Sequence, residues 1–259
     1  MSDERRYVFC VVSLADGPES YRTVGLDGTD AYLVCDGDLG ALVQPQDTAF
    51  ESTEKADVQR LLVDHLAIVD EIGEAFGTPL PFRFNTVFEG GDDAVRAWLR
   101  ESRDELATQL DRLAGHWEYR VEVIWADDRP AEDETDYRLN ELEAILEDAP
   151  PGKRFLVEKQ YEQRVSELAR ERKAAEQDAL ESRVEPHAKA VKALGEQSVQ
   201  LGGGREDGEV VARISALATE SGAEGIGDEL DEVATEEGVE VRYTGPWPPY
   251  THVAEGVLE

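Results

Sequence analysis

The chain has 259 residues, 28.7 kDa, and 58 Asp and Glu against 26 Lys and Arg, for a net charge of −32. This length and a hydrophobic share of 41% allow one large or two modest domains with real cores, while the sign of the charge is a poor fit for nucleic acid or anionic membrane as partners. Arginine supplies 20 of the bases and lysine only 6, and acid-rich, lysine-poor chemistry with periodic apolar stripes fits a salt-in halophile, where the Debye length is only ~3 Å at 1 M; an acidic binding protein at low salt is the other reading.

From the N-terminus, Tyr7 to Leu14 is an almost continuous apolar run, and its valines and aromatic residues suit a strand buried on both faces. Residues 31–35 and 39–43 read as two short strands, joined through Asp36-Gly37-Asp38 as a hairpin turn. Residues 52–76 read as a helix with Thr53 as cap and Asp57 near its first turn. Its apolar face is Val58, Leu61, Leu62, His65, Val69, Ile72 and Phe76. His65 within that face is either a satisfied core histidine or a contact or catalytic group. Gly77 and Pro79 stop the helix. Residues 80–88 form one extended, aromatic-rich strand. Arg83 interrupts it, either snorkelling to a carboxylate or touching a partner. After Gly90-Gly91 a helix runs from Asp92 to about Ala114, with Val95, Trp98, Leu99, Leu106, Leu110 and Leu113 on one stripe. Tyr119, Val121, Val123 and Trp125 then alternate with Glu118, Arg120 and Glu122, as in a half-exposed strand.

Polar residues 127–135, with Pro130, read as a linker. A short helix over 136–147 is followed by Ala149-Pro150-Pro151-Gly152 and by a long charged helix over about 154–183, with Val157, Tyr161, Val165 and Leu168 as its stripe. Such a helix lacks the apolar width for a thick core, so it is either a solvated hairpin arm or a protein-binding arm. Pro186 to Ala193 suggests another helical turn, 198–201 a strand, and 202–204 a glycine loop without the lysine of a phosphate-binding loop. Residues 209–217 alternate as a strand, 223–237 form an acidic helix with Ile226, Leu230 and Val233 inwards, and Val239, Val241 and Tyr243 begin a final strand.

This order predicts an α+β protein: two small antiparallel-sheet domains, the N-terminal one ferredoxin-like, with an intervening long charged helical segment. The boundaries expected are 1–128 for the N-terminal domain and 129–259 for the C-terminal domain. The latter comprises a helical arm over about 136–193 and a small α+β unit. No signal-peptide core precedes the first strand, no apolar run reaches the ~20 residues of a membrane span, and Cys10 and Cys35 sit in apolar strands as buried thiols, so a cytoplasmic protein is expected.

No HExxH, CxxC, GxSxG, Walker or GxGxxG pattern stands in a suitable setting, and His65, His116, His187 and His252 are scattered without metal-ligand spacing. With 58 acids, a carboxylate pair discriminates nothing. We therefore expect no catalytic group, no cofactor and no metal. The alternative is an enzyme of unrecognised type, with a cleft site between the two domains using His65 or Arg83.

What stands out is adhesive. Thr244-Gly245-Pro246-Trp247-Pro248-Pro249-Tyr250 packs three prolines into four residues, which neither helix interior nor central strand accepts. It reads as a rigid extended lid whose rings plug a groove, or as a proline-rich packing segment. With the preceding Tyr243, this stretch resembles the ending of the gas-vesicle accessory proteins of the GvpF/GvpL family. Leu80-Pro81-Phe82-Arg83-Phe84-Asn85-Thr86-Val87-Phe88 is similar to a second family segment, with Asn85 at a position where the family pattern has glycine and Phe82 in place of an aliphatic residue. The resemblance covers nearly the whole chain, and its length and charged helix lean towards GvpL rather than GvpF. It implies a non-enzymatic accessory protein associated with gas vesicles, and the acid-rich, lysine-poor composition points to a halophilic archaeon as the source. Such a protein would bind the hydrophobic shell protein GvpA or other accessory proteins, hold subunits soluble and promote assembly. Arg83, Phe84, Trp247, Pro248, Pro249 and Tyr250 are the candidate partner-binding or structural residues.

Overall fold

The computed structural model describes residues 4–254 apart from 16, 19, 47, 51–54, 127–135 and 196–207. The cap at Thr53, the linker at 127–135 and the strand and glycine loop at 198–204 lie outside the described residues. The class is α+β, with two antiparallel sheets and a long charged helix.

Strand β1 (Arg5–Ser13) is the centre of the first sheet, and Tyr7 to Val12 are almost fully buried, as a run apolar on both faces requires. Around it stand β2 (Arg22–Val24), β3 (Asp30–Asp36), β4 (Leu39–Pro45), β5 (Leu80–Pro81) and β6 (Val87–Glu89). The order is β2-β3-β4-β1-β5, and β6 also pairs with β1. The β3–β4 register places Asp36 opposite Leu39, so Gly37 and Asp38 form a two-residue loop; Gly37 takes φ 63°, as such loops demand. A bulge between Val8 and Cys10 shifts the β1–β4 register at Phe9.

Helix α1 (Lys55–Phe76) covers this sheet with Leu61, Ile68, Val69 and Ile72, which join Tyr7, Phe9 and Leu42 in one core. Val58, expected on the apolar face, is exposed. The helix stops as expected: Gly77, at φ 79°, donates its N–H to the Gly73 carbonyl. The single helix expected after Gly91 is two, α2 (Gly91–Glu101) and α3 (Arg103–Leu113), which meet at Ser102 with φ −96° and ψ 9°. The break lets Val95 and Leu99, then Leu106, Leu110 and Leu113, all be buried. The single strand expected over 80–88 is likewise split into β5 and β6 by a turn.

The second sheet has the order β10-β7-β9-β8, formed by β7 (Trp117–Trp125), β8 (Ala190–Ala193), β9 (Glu209–Ala218) and β10 (Val239–Trp247). β7, expected to close the first sheet, belongs here, between β10 and β9. β8 replaces the helical turn expected after Pro186. Glu185–His187 is only a short 3-10 turn, and the Leu194 N–H bonds the Arg213 carbonyl of β9, so the available strand edge overrides weak local helix preference. Pro246 sits in β10, an edge strand, where a missing donor is tolerated. Helix α6 (Glu220–Val233) buries Ile226, Leu230 and Val233. Helices α4 (Tyr137–Asp148) and α5 (Pro151–Val184) form a hairpin. Leu142 and Val157 are its buried residues near the tip, the Asp136 side chain caps α4 through the Leu139 N–H, and Arg164 reaches back to Asp136 at 2.8 Å. Between Val157 and Leu180 no residue of α5 is fully buried, which is the thin seam its sequence implies.

By contact the chain divides into two compact units. One is Met1–Tyr119 with Leu217–Ser221 and Gly245–Glu259; the other is Arg120–Ala216 with Gly222–Thr244. The proline-rich stretch from Gly245 onwards therefore belongs with the first unit.

Candidate functional site

The two aromatic stretches singled out in the sequence meet around His65 of α1. The ring is fully buried, and both nitrogens are engaged. Nε2 lies 3.1 Å from the Phe82 carbonyl, which can only accept, so the ring proton is on Nε2. Nδ1 is then an acceptor, and the Tyr7 hydroxyl, at 2.8 Å, donates to it. The Tyr7 oxygen in turn accepts the Asn85 N–H at 3.1 Å. Each member of this chain, from β1 to α1 to the turn after β5, has the one role its neighbours leave open. Burial lowers the His65 pKa to about 4, the carbonyl bond opposing it only in part, so the ring is neutral at pH 7. Burial likewise raises the Tyr7 pKa, and the phenol stays protonated.

Rings close over this chain. Phe9 stacks on His65 at 5.5 Å between centroids, Phe84 meets it edge-on at 5.9 Å, and Tyr250 lies tilted at 6.3 Å. Phe50 stacks on Phe84 at 6.3 Å. Thus Phe84 and Tyr250 share one neighbour. Arg83 points away: it is exposed, and among the described residues its guanidinium has no ion pair, so it does not snorkel to a carboxylate as the sequence allowed.

The turn between β5 and β6 depends on Asn85. Its φ is 73°, a conformation that glycine adopts freely and asparagine tolerates better than other side chains. Asparagine adds what glycine lacks. Its Oδ1 accepts the Phe50 N–H at 2.7 Å, and its Nδ2 donates to the Phe50 carbonyl at 3.1 Å, clamping the backbone of one residue on both sides. Thr86 Oγ1 closes the turn on the Arg83 carbonyl at 2.8 Å. Asn85→Gly is expected to keep the turn but lose the clamp, at about 1–2 kcal/mol. Asn85→Ala loses the clamp and adds strain of about 1–2 kcal/mol at positive φ. Urea unfolding midpoints should rank Asn above Gly above Ala; a glycine variant as stable as the parent would remove the clamp from the account.

The C-terminal stretch is fastened from below. Gly245, at φ 136°, lies so close to β7 that a Cβ there would stand 2.8 Å from the Glu118 carbonyl oxygen and 2.8 Å from the Tyr119 ring. Pro248 and Pro249 are buried, whereas Trp247 is half-buried and so is not a fully inserted plug. A 3-10 turn over Tyr250–His252 follows. Glu118, expected to face solvent, is fully buried: its carboxylate accepts the Thr251 N–H at 2.7 Å and the Thr251 hydroxyl at 2.8 Å. Arg112 of α3 donates to the His252 carbonyl. Sequence reasoning missed Glu118 and Tyr7. A carboxylate carries no signal in so acidic a chain, and a tyrosine in an apolar run looks like any other core aromatic.

This arrangement is a structural hub rather than a reactive one. His65 has no exposed face and no nitrogen to spare. Among the described residues no group of three or more His, Cys, Asp or Glu is placed to hold a metal ion, and no helix is long and apolar enough to cross a membrane. Cys10 and Cys35 are free thiols. Large exposed apolar side chains include Val24 and Val63 in one unit and Tyr137, Phe155 and Leu156 in the other.

Comparison with known proteins gives a consistent answer. The family model described as gas vesicle synthesis protein GvpL/GvpF matches residues 5–254. Gas vesicle protein L2 of Halobacterium salinarum is 40% identical over 257 residues, covering 95% of this chain and 90% of that protein. Gas vesicle protein L of Haloferax mediterranei is 37% identical over 239 residues, covering 89% and 73%. The crystal structure of gas vesicle protein GvpF from Anabaena sp. PCC7120 superposes with a TM-score of 0.66 at 18% identity over 96% of this chain and 95% of that one, a likeness of fold.

Proposed function

The chain belongs to the GvpL/GvpF family of gas vesicle synthesis proteins, and from that premise we propose that it binds the hydrophobic shell protein GvpA, other accessory gas vesicle proteins, or both, and keeps subunits soluble during assembly. Family membership across residues 5–254 carries this reading. The composition supports it physically. A net charge of −32 keeps the folded chain hydrated in concentrated salt, while the exposed Tyr137, Phe155 and Leu156 of the helical hairpin offer apolar contact. The 40% and 37% identical relatives are both named as L proteins, so we place the chain on the GvpL side. The role is that of a non-enzymatic cytoplasmic protein associated with the gas vesicle, with Arg83 and the half-buried Phe84, Trp247 and Tyr250 as candidate contacts beside the buried supports Pro248 and Pro249.

Co-expression with GvpA in molar salt tests the proposal. GvpA should stay in the supernatant and be recovered with this chain. Recovery of other accessory proteins while GvpA aggregates would select the scaffold arm of the reading. Aggregation of GvpA with nothing recovered would overturn it.

A further inference from the structure

The outer face of α5 differs from the rest of this acidic molecule. α4 occupies one side of the helix through Leu142 against Val157, Glu143 with Tyr161 at 2.9 Å, and Asp136 with Arg164. Opposite that side, Phe155, Leu156, Lys159, Gln163, Ser166 and Arg170 are all exposed. At 100° per residue they fall within one arc of about 100° that contains no acid, with Glu158 and Glu162 along one edge and Glu167 along the other.

Two independent observations mark this arc. Phe155 and Leu156 are 65% and 62% exposed, adjacent large apolar side chains on one helix. Among the described residues, the arc's two bases, Lys159 and Arg170, make no ion pair, although acids outnumber bases more than twofold in the chain. On the α4 side, by contrast, Arg164 alone meets Asp136, Glu167 and Glu171. Lys159 sits over the Phe155 ring at 5.9 Å, so cation and aromatic form one feature.

We infer that this face of α5 is a docking surface for an acidic amphipathic helix of a partner protein. The inference rests on the accessory reading above and gives the partner's chemistry. From Phe155 to Arg170 the face runs about 22 Å, or four helical turns. The partner's apolar residues cover Phe155 and Leu156, and its carboxylates meet Lys159 and Arg170. In molar salt only charges in direct contact attract, because screening acts over ~3 Å. The salt-resistant part of the affinity is therefore apolar, and the contact pairs set orientation and choice of partner.

The test uses the full chain and two fluorescein-labelled helical peptides of about 20 residues. One has leucines at helical spacing flanked by glutamates; the other has every glutamate replaced by lysine. Fluorescence anisotropy should show the acidic peptide binding at least about tenfold more tightly. Lys159→Glu with Arg170→Glu should remove that preference without changing the thermal midpoint, since both positions are exposed. Hydrogen exchange should slow on the acidic peptide's binding at 152–170. Equal binding of both peptides, binding of neither, unchanged affinity in the double variant, or protection elsewhere would overturn the inference. A dimer of the chain alone that dissociates in the double variant would overturn it too, by naming a second copy as occupant. The peptides contain no gas vesicle sequence, so their failure leaves the co-expression result standing, and the reverse also holds.

Discussion

Gly245→Ala is expected to destabilise the protein by at least about 3 kcal/mol. Two costs combine. A residue with a Cβ is strained at φ 136°, by about 1–3 kcal/mol. The new methyl would also stand 2.8 Å from a backbone oxygen of β7 and 3.3 Å from the Tyr119 Cα, and backbone cannot swing aside as a side-chain tip can. Any shift of β7 moves Glu118 as well, whose buried side chain holds Thr251, so the two hydrogen bonds that fasten the C-terminal turn are strained too. Gly227→Ala is the control. It lies inside α6, and a Cβ there meets nothing nearer than the Tyr243 ring at 4.0 Å, so it should be neutral or stabilising by up to about 1 kcal/mol. Guanidinium unfolding of both variants in molar salt reads the contrast. Equal stability of Gly245→Ala and the parent would mean that the close approach to β7 contributes nothing.

Acid should destabilise the protein through His65 by up to about 3 kcal/mol between pH 7 and pH 4. In the folded chain the ring has a pKa of about 4, against 6.5 when free. Below 6.5 the unfolded chain takes up a proton that the folded chain refuses, so stability falls with decreasing pH until the folded ring titrates as well. Many carboxylates change charge in the same range. The informative quantity is therefore the difference between the parent and His65→Gln, whose side chain has no proton to gain. The advantage of the parent at pH 7 should shrink steadily below pH 6.5 and level off near pH 4. A difference independent of pH would mean that the folded ring titrates as freely as the unfolded one.

Much of the fold is legible in the sequence. An apolar run with valines and no alternation is satisfied only by a strand covered on both faces, and β1 is that strand. The stripe on α1, the glycine that ends it, the two-residue loop after Asp36 and the thin seam of the arm follow from rules acting over a few residues. The proline-rich ending likewise announced an extended segment, because proline removes donors wherever it stands.

What the sequence by itself determined is thus local: most of the residues that turn inwards, and where helices stop. Only the tertiary structure decided which partners cover those faces. Alternation identifies β7 as a strand but not the sheet it joins, and the β7 pattern also marked Glu118 as solvent-facing. Glu118 is buried because Thr251, 133 residues further along the chain, brings a hydroxyl and an N–H to it. His65 is a neutral hub because Tyr7 and the Phe82 carbonyl, 58 and 17 residues away, leave its nitrogens one tautomer. The physical reason is common to these cases. A polar side chain is buried where its hydrogen bonds are completed, and the completing groups come from segments that periodicity cannot pair.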